Sequence, residues 1–349
     1  MNRQLSRALV AAATTALLTA GALPAANAAS ANAASANAAA ANGHAAHYQA
    51  VVAGHAPSLH PEGATWDPLH RQFLVGSLHH GTVSAVRPDG SVRTLVDEPQ
   101  TIVSVLGLHV DAARDRVLVA NGDNGVGVRS SAATTGKLAG LGAYDLETGR
   151  RLFYVDLAAV AGDGAAHIAN DVAFAPDGTA YVTDSLSPIV YRVTRDGRAS
   201  VLLRDARLSP APGGYGLNGI VYQDGTLVLG KYDDGTLWRV DVRRPADVRP
   251  IPVTGTAGAL VGLDGLLGRR DGSILGATNG LGAPGRDAQV ELRSKDGWRT
   301  ARLVAVHPSV DPAVTAVTPG PDGSAYLLSG RMDLLFSGTT SDSFTLRRI

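Results

Sequence analysis

The chain is poor in the side chains that most often do chemistry. It has no cysteine and four glutamates (Glu62, Glu98, Glu147 and Glu291). It has neither a G-x-S-x-G nucleophile elbow nor an H-E-x-x-H zinc helix. At four points, however, an oxygen-bearing side chain stands immediately before a short apolar run: Glu62, Asn170, Asn218 and Asp264. Two carboxylates and two neutral amide carbonyls suit a hard divalent cation, with water completing the six to eight oxygens that Ca²⁺ prefers. Mg²⁺, Mn²⁺ and Zn²⁺ are the alternatives, zinc being the poorest fit because no His or Cys shares the position. A cation held there would polarise a carbonyl and stabilise a developing oxyanion. Asp264 or Glu62 would then be the general base toward water. A ligating carboxylate has a lowered pKa and is a weaker base for it, so the ligand role asks less of these two residues.

Four residues so far apart act together only if the fold turns them toward one axis. The sequence carries a repeat of roughly 50 residues that could do so. Its punctuation is Pro88-Asp89-Gly90, Pro176-Asp177-Gly178, Asp196-Gly197, Asp224-Gly225, Asp271-Gly272 and Pro321-Asp322-Gly323, each between short β-rich runs. Such turns are hairpin signals, because Gly accepts the positive φ they need. The clearest unit predicts strands over 171–175, 179–183, 189–193 and 199–203. Unit one predicts strands over 62–66, 72–76, 82–86 and 92–96. Unit two starts at Leu106 and ends at Val155, unit four starts at Asn218, unit five at Asp264, and unit six runs from Thr315 to Ile349. Six units of four antiparallel strands predict an all-β fold, a six-bladed β-propeller, in preference to a pair of β-sandwiches. The first strand of each blade lines the channel, so Glu62, Leu106, Asn170, Asn218, Asp264 and Thr315 would form a ring around it. An insertion in unit two, Asn121 to Gly142, explains its greater length. Its Asn121-Gly-Asp-Asn-Gly125 stretch lacks the twelfth-position Glu of a Ca²⁺ loop and reads as a turn.

The N-terminus bears Arg3 and Arg7, an uncharged apolar stretch from Ala8 to about Ala22, and a small-x-small site at Ala26-Asn27-Ala28. Residues 1–28 therefore read as a signal peptide, 29–47 as a low-complexity Ala/Ser/Asn spacer, and 48–349 as the propeller. The expected location is extracellular. Lys+Arg and Asp+Glu both number 31, which gives no basic stripe for nucleic acid and no polybasic patch for a membrane. Without cysteine, an exported chain must rely on packing or on a bound ion rather than on disulfides. A monomer is expected. His109, His167, Ile168 and Lys231 are candidates for a substrate rim, with Tyr232 beside Lys231.

The motifs Pro61-Glu62-Gly63-Ala64-Thr65-Trp66, Asn170-Asp171-Val172-Ala173, Asn218-Gly219-Ile220 and Asp264-Gly265-Leu266 resemble those of the senescence marker protein/gluconolactonase/regucalcin family and, more distantly, the paraoxonases. The resemblance implies a divalent ion, Ca²⁺-type or other, at the channel mouth and lactone or ester hydrolysis above it. It implies Glu62, Asn218 and Asp264 as ligands, Asn170 as ligand or substrate contact, and Asp264 as base. Sugar-lactone hydrolases of that family often carry Arg two residues before the third-blade Asn; here that residue is Ile168, which fits a less polar lactone or ester. The competing reading is a non-catalytic binding propeller with a structural calcium ion. A quinone- or metal-dependent oxidoreductase would need basic or His residues at the ring, and they are absent.

Overall fold

The structure, a computed structural model, describes residues 49–255 and 258–349. The expected signal peptide and spacer lie outside the described residues.

Six twisted antiparallel sheets follow one another along the chain, and the turn chemistry accounts for their strands. Strand β1 (Val51–His55) comes first in sequence but belongs to the last sheet. Blade one is β2 (Pro61–Asp67), β3 (Gln72–Ser77), β4 (Thr82–Val86) and β5 (Val92–Asp97). Blade two is β6 (Ser104–Asp111), β7 (Arg116–Gly122), β8 (Ala139–Asp145) and β9 (Arg151–Asp156). Helix α1 (Leu157–Ala161) follows, capped by Asp156 on the Ala159 amide. Blade three is β10 (Ala169–Phe174), β11 (Ala180–Asp184), β12 (Ile189–Val193) and β13 (Ala199–Arg204). Blade four is β14 (Leu217–Gln223), β15 (Thr226–Lys231), β16 (Leu237–Asp241) and β17 (Arg249–Ile251). Blade five adds a short parallel strand, β18 (Val253–Thr254), outside β19 (Leu263–Gly268), β20 (Ile274–Thr278), β21 (Ala288–Arg293) and β22 (Ala301–Pro308). Blade six contains β23 (Val314–Pro319), β24 (Ala325–Ser329) and β25 (Ser343–Arg348), with helix α2 (Met332–Phe336) between the last two.

The fold is therefore the expected six-bladed propeller, with one difference in how it closes. The repeat places all of unit six between Thr315 and Ile349. Only three strands fit there, and β1 supplies the fourth by pairing antiparallel with β25, Val51 opposite Arg347 through His55 opposite Ser343. The physical reason is the edge problem: a ring joined only end to end leaves an open seam, and weaving one terminus into the last blade closes it. The insertion in unit two is also shorter than its composition suggests, since β7 and β8 extend into both of its ends.

There is no single core. Each pair of neighbouring sheets buries its own cluster: Leu118, Leu141, Val172 and Tyr191 between blades two and three, for example, and Trp66, Phe73, Tyr326 and Phe344 between six and one. The last of these clusters includes edge-to-face contacts of Phe73 with Trp66 and Tyr326, each with ring centroids 4.9 Å apart. Blade contacts thus run around the ring and leave its centre to the inner strands. No helix among the described residues is long and apolar enough to cross a membrane.

Candidate functional site: a bulge-built ring at the channel mouth

All six inner strands carry a register shift at the same place. The irregularity falls between Pro61 and Gly63, Val105 and Leu108, Ala169 and Val172, Leu217 and Ile220, Leu263 and Leu266, and Val314 and Ala316. Each shift is a β-bulge, in which one extra residue re-aims a side chain and frees a backbone group. The re-aimed residues are Glu62, Leu106, Asn170, Asn218, Asp264 and Thr315, the positions picked out by the repeat.

The sequence pattern places Asn170 just before its strand and Glu62 at the start of its own. The structure puts them inside the strands. Gly219 and Gly265 adopt no turn conformation; they are where the next blade comes close. A Cβ on Gly219 would lie 2.8 Å from the Leu266 nitrogen, and one on Gly265 2.8 Å from the Thr315 carbonyl oxygen. In each pair, the first residue faces the axis and the second lets the neighbouring inner strand approach. The carbonyls freed at the bulges are taken up by the preceding blade: Thr183 Oγ1 donates to the Asn218 carbonyl (2.6 Å), Asn279 Nδ2 to that of Val314 (2.9 Å), and Thr315 Oγ1 to that of Glu62 (2.5 Å).

The ring separates two spaces. Above it a cleft opens to solvent; below it lies the central channel. Glu62, Asn170, Asn218, Asp264 and Thr315 line both. Asn170, Asn218 and Asp264 are buried, and Glu62 is partly accessible. Burial, followed by the charges of Asp264 and Asp171, pushes the Glu62 carboxyl well above the usual carboxylate range. Burial pushes Asp264 up to about 7, against hydrogen bonds from Asn279 and Asn218 that pull it down, while Asp171 adds to the rise. Asp171 is held just below by the Ile220 and Val172 amides.

Asp264 has a support that the sequence reading missed. Asn279 Nδ2 donates to Asp264 Oδ2 at 2.7 Å, and Tyr232 Oη donates to Asn279 Oδ1 at 2.5 Å while accepting from the Gly282 amide at 2.8 Å. Asn279 follows β20 in an Asn-Gly pair that reads as another turn, so nothing in the local pattern marked it.

Of the rim candidates, Ile168 lines the cleft. His109 instead lines the channel below the ring, 3.6 Å from Asp171. His167 is buried between Asp184 (2.7 Å) and Asp163 (2.9 Å) and does not reach the cleft. Lys231 is buried against Asp234 (2.7 Å) and Asp233 (3.1 Å), and it is its neighbour Tyr232 that faces the cleft. Asp123, in the stretch resembling a Ca²⁺ loop, is saturated by Ser130, Thr134, Thr135 and the Gly125 amide, the arrangement of a turn. The rest of the cleft wall is an apolar collar of Leu78, Leu106, Ile168, Leu281, Met332 and Phe336, interrupted by Asn124, Tyr215 and Gly282. Among the described residues no group of three or more His, Cys, Asp or Glu side chains is placed to hold a metal, so a cation at the ring would need its two Asn carbonyls as well.

Known structures share this architecture. The major allergen Mala s 1 of Malassezia sympodialis superposes with a TM-score of 0.67 at 18% identity, covering 86% of this chain and 96% of that one. A gluconolactonase of Xanthomonas campestris gives 0.57 at 17% identity (86% and 88% covered). A calcium-binding regucalcin of Agrobacterium tumefaciens gives 0.56 at 18% (84% and 91%). No protein-family model matches the sequence, and no curated protein aligns significantly with it. The structural neighbours include gluconolactonase- and regucalcin-type six-bladed propellers. At these identities the likeness shows the fold and nothing finer.

Proposed function

We propose that this chain is an exported, divalent-cation-dependent hydrolase of a small lactone or ester, with Glu62, Asn170, Asn218 and Asp264 as the cation's protein ligands. The observation that carries the reading is the ring itself. Six bulges aim side chains at one axis, and the two carboxylates among them meet no Lys, Arg or His on the cleft side. Their tendency to hold protons is what a buried anionic pair does without a counter-charge, and a cation would supply that charge. The donor set, carboxylates plus amide carbonyls, is that of Ca²⁺.

When bound, the cation supplies a Lewis acid that polarises the substrate carbonyl. The chain's own residues do the rest. Asn279, itself held by Tyr232, fixes the orientation of Asp264 at the floor of the cleft. Glu62, the more accessible carboxylate, and Asp264 are the groups able to take a proton from an attacking water. The collar limits the water reaching the ring, which strengthens electrostatic contacts there. The N-terminal segment, read as a signal peptide, supports an extracellular site for this activity.

The test is metal analysis of the purified mature chain, followed by a panel of lactones and aryl esters with and without chelator. Bound Ca²⁺ with chelator-sensitive turnover is the expected result. Metal without turnover would leave a structural ion in a binding propeller, and neither would remove the metal reading altogether.

A further inference from the structure

The cleft above the ring has a chemical character of its own. Its wall carries no Lys, Arg or His. Lys231 and Arg331, each next in sequence to a cleft residue, are spent on Asp233 and Asp234 and on Asp333 respectively. The Tyr232 hydroxyl is used in both directions, by Asn279 and by the Gly282 amide. Apart from Asn124, whose buried Oδ1 meets no partner, and the Tyr215 hydroxyl, what remains is hydrocarbon. Leu78, Leu106, Ile168 and Met332 belong to one buried cluster, with Leu281 and Tyr215 packed against it. Helix α2 brings Phe336 to the edge of the cleft, where the ring stays 45% exposed.

We propose that the substrate is an electrically neutral lactone or ester bearing an apolar arm, seated between Leu281 and Phe336 with its carbonyl at the ring. The proposal rests on the hydrolase reading for the carbonyl and on the collar alone for the arm. A carboxylate or phosphate on the substrate would enter a cleft with no cation to meet it beyond the ring. A polyhydroxylated ring would find only Asn124 and Tyr215 in the wall above the ring to replace its water contacts, too few for several hydroxyls that must each be paired. An alkyl or aryl arm gains by leaving water.

The test uses the full mature chain and an uncharged naphthylamine probe displaced by competitors, so binding is read without turnover. The competitors are γ-lactones with unbranched tails of increasing length, a polyhydroxylated lactone, and a lactone whose tail ends in a carboxylate. Affinity is expected to rise about fourfold per methylene until the cleft is full, equivalent to ~0.8 kcal/mol per buried CH₂. The other two should bind no better than the shortest γ-lactone. Phe336→Ser, at an exposed position, should keep the wild-type melting curve and weaken the long-tailed lactone about tenfold while sparing the short one. A flat dependence on tail length, or preference for the polyhydroxylated or carboxylate-bearing lactone, overturns the proposal. Tail-dependent binding without hydrolysis of any lactone would bring down the hydrolase reading and leave this one standing. Hydrolysis of the polyhydroxylated lactone with no tail dependence would do the reverse.

Discussion

Asn279 Nδ2 lies 2.7 Å from Asp264 Oδ2 and 2.9 Å from the Val314 carbonyl, so one amide group joins the blade-five ring carboxylate to the inner strand of blade six. The same contact that orients a candidate ligand also satisfies a backbone oxygen at a bulge. Position and stability are coupled there, and their loss should be read together.

Asn279→Leu is expected to cost about 1–3 kcal/mol of stability, since Val314 and Asp264 each lose a buried partner. It should also weaken Ca²⁺ binding about 10- to 100-fold, the usual effect of removing a residue that orients a ligand. Tyr232→Phe, which removes only the second link, should show a smaller loss of both. Calorimetric titration with Ca²⁺ and thermal melts measure them. Unchanged affinity in a folded Asn279→Leu protein would mean that Asp264 needs no such support.

The pH dependence of the cation-free protein follows from Asp264. Its carboxyl is pushed up to about 7 in the folded protein, against roughly 3.9 in an unfolded chain. Between those values the folded state holds the proton and the unfolded state does not, so stability falls as pH rises. The slope from this one group is at most about 1.4 kcal/mol per pH unit. Melting curves from pH 4 to 8 in chelator, wild type minus Asp264→Asn, should show the fall, and added Ca²⁺ should abolish it. A wild-type curve parallel to the variant's would refute the assignment.

His167 should act in a different window. Its hydrogen bond to Asp184 raises its pKa despite burial, and Asp163 adds to the effect. The protonated ring is stabilising below about pH 6.5, and that contribution is lost as pH rises through the higher folded value. His167→Gln should therefore differ most from wild type at pH 6 and least at pH 9. The folded value itself can be read from the ring proton shifts in an NMR titration, and a midpoint below 6.5 would contradict the prediction.

The closure by β1 predicts a strong effect far from the site. Removing residues 49–55 leaves β25 as an open edge and strips Val52 from the cluster of Trp66, Phe73 and Phe344. The truncated chain should melt many degrees lower and be cleaved first in blade six. Gly54→Ala is the milder version, because its Cβ would meet the Phe344 ring; overpacking of this kind costs about 1–3 kcal/mol. Limited proteolysis and thermal melts distinguish the two, and an unaffected truncation would show that the seam is not needed.

Much of the ring was legible in the chain, for a definite reason. Hairpin turns depend on local chemistry: Asp177 accepts the Thr179 amide and Gly178 takes φ +86°, both set by neighbours in sequence. Strand alternation is equally local, so the repeat and the phase of Glu62, Asn170, Asn218 and Asp264 could be read directly. What lay beyond local pattern was decided by contacts between distant segments. β1 finds β25 almost 300 residues away. His167 and Lys231 turn from the cleft because Asp184, Asp163, Asp233 and Asp234 compete for them more strongly than solvent does. Asn279 looks like a turn residue until Asp264 and Val314 are placed beside it. Residue order thus determined which side chains share a position in each blade, because that depends on hydrogen bonds a few residues long. Only the closed ring decided which of them face one axis, which partners hold them there, and how apolar the space above them is, because those depend on burial and pairing between blades.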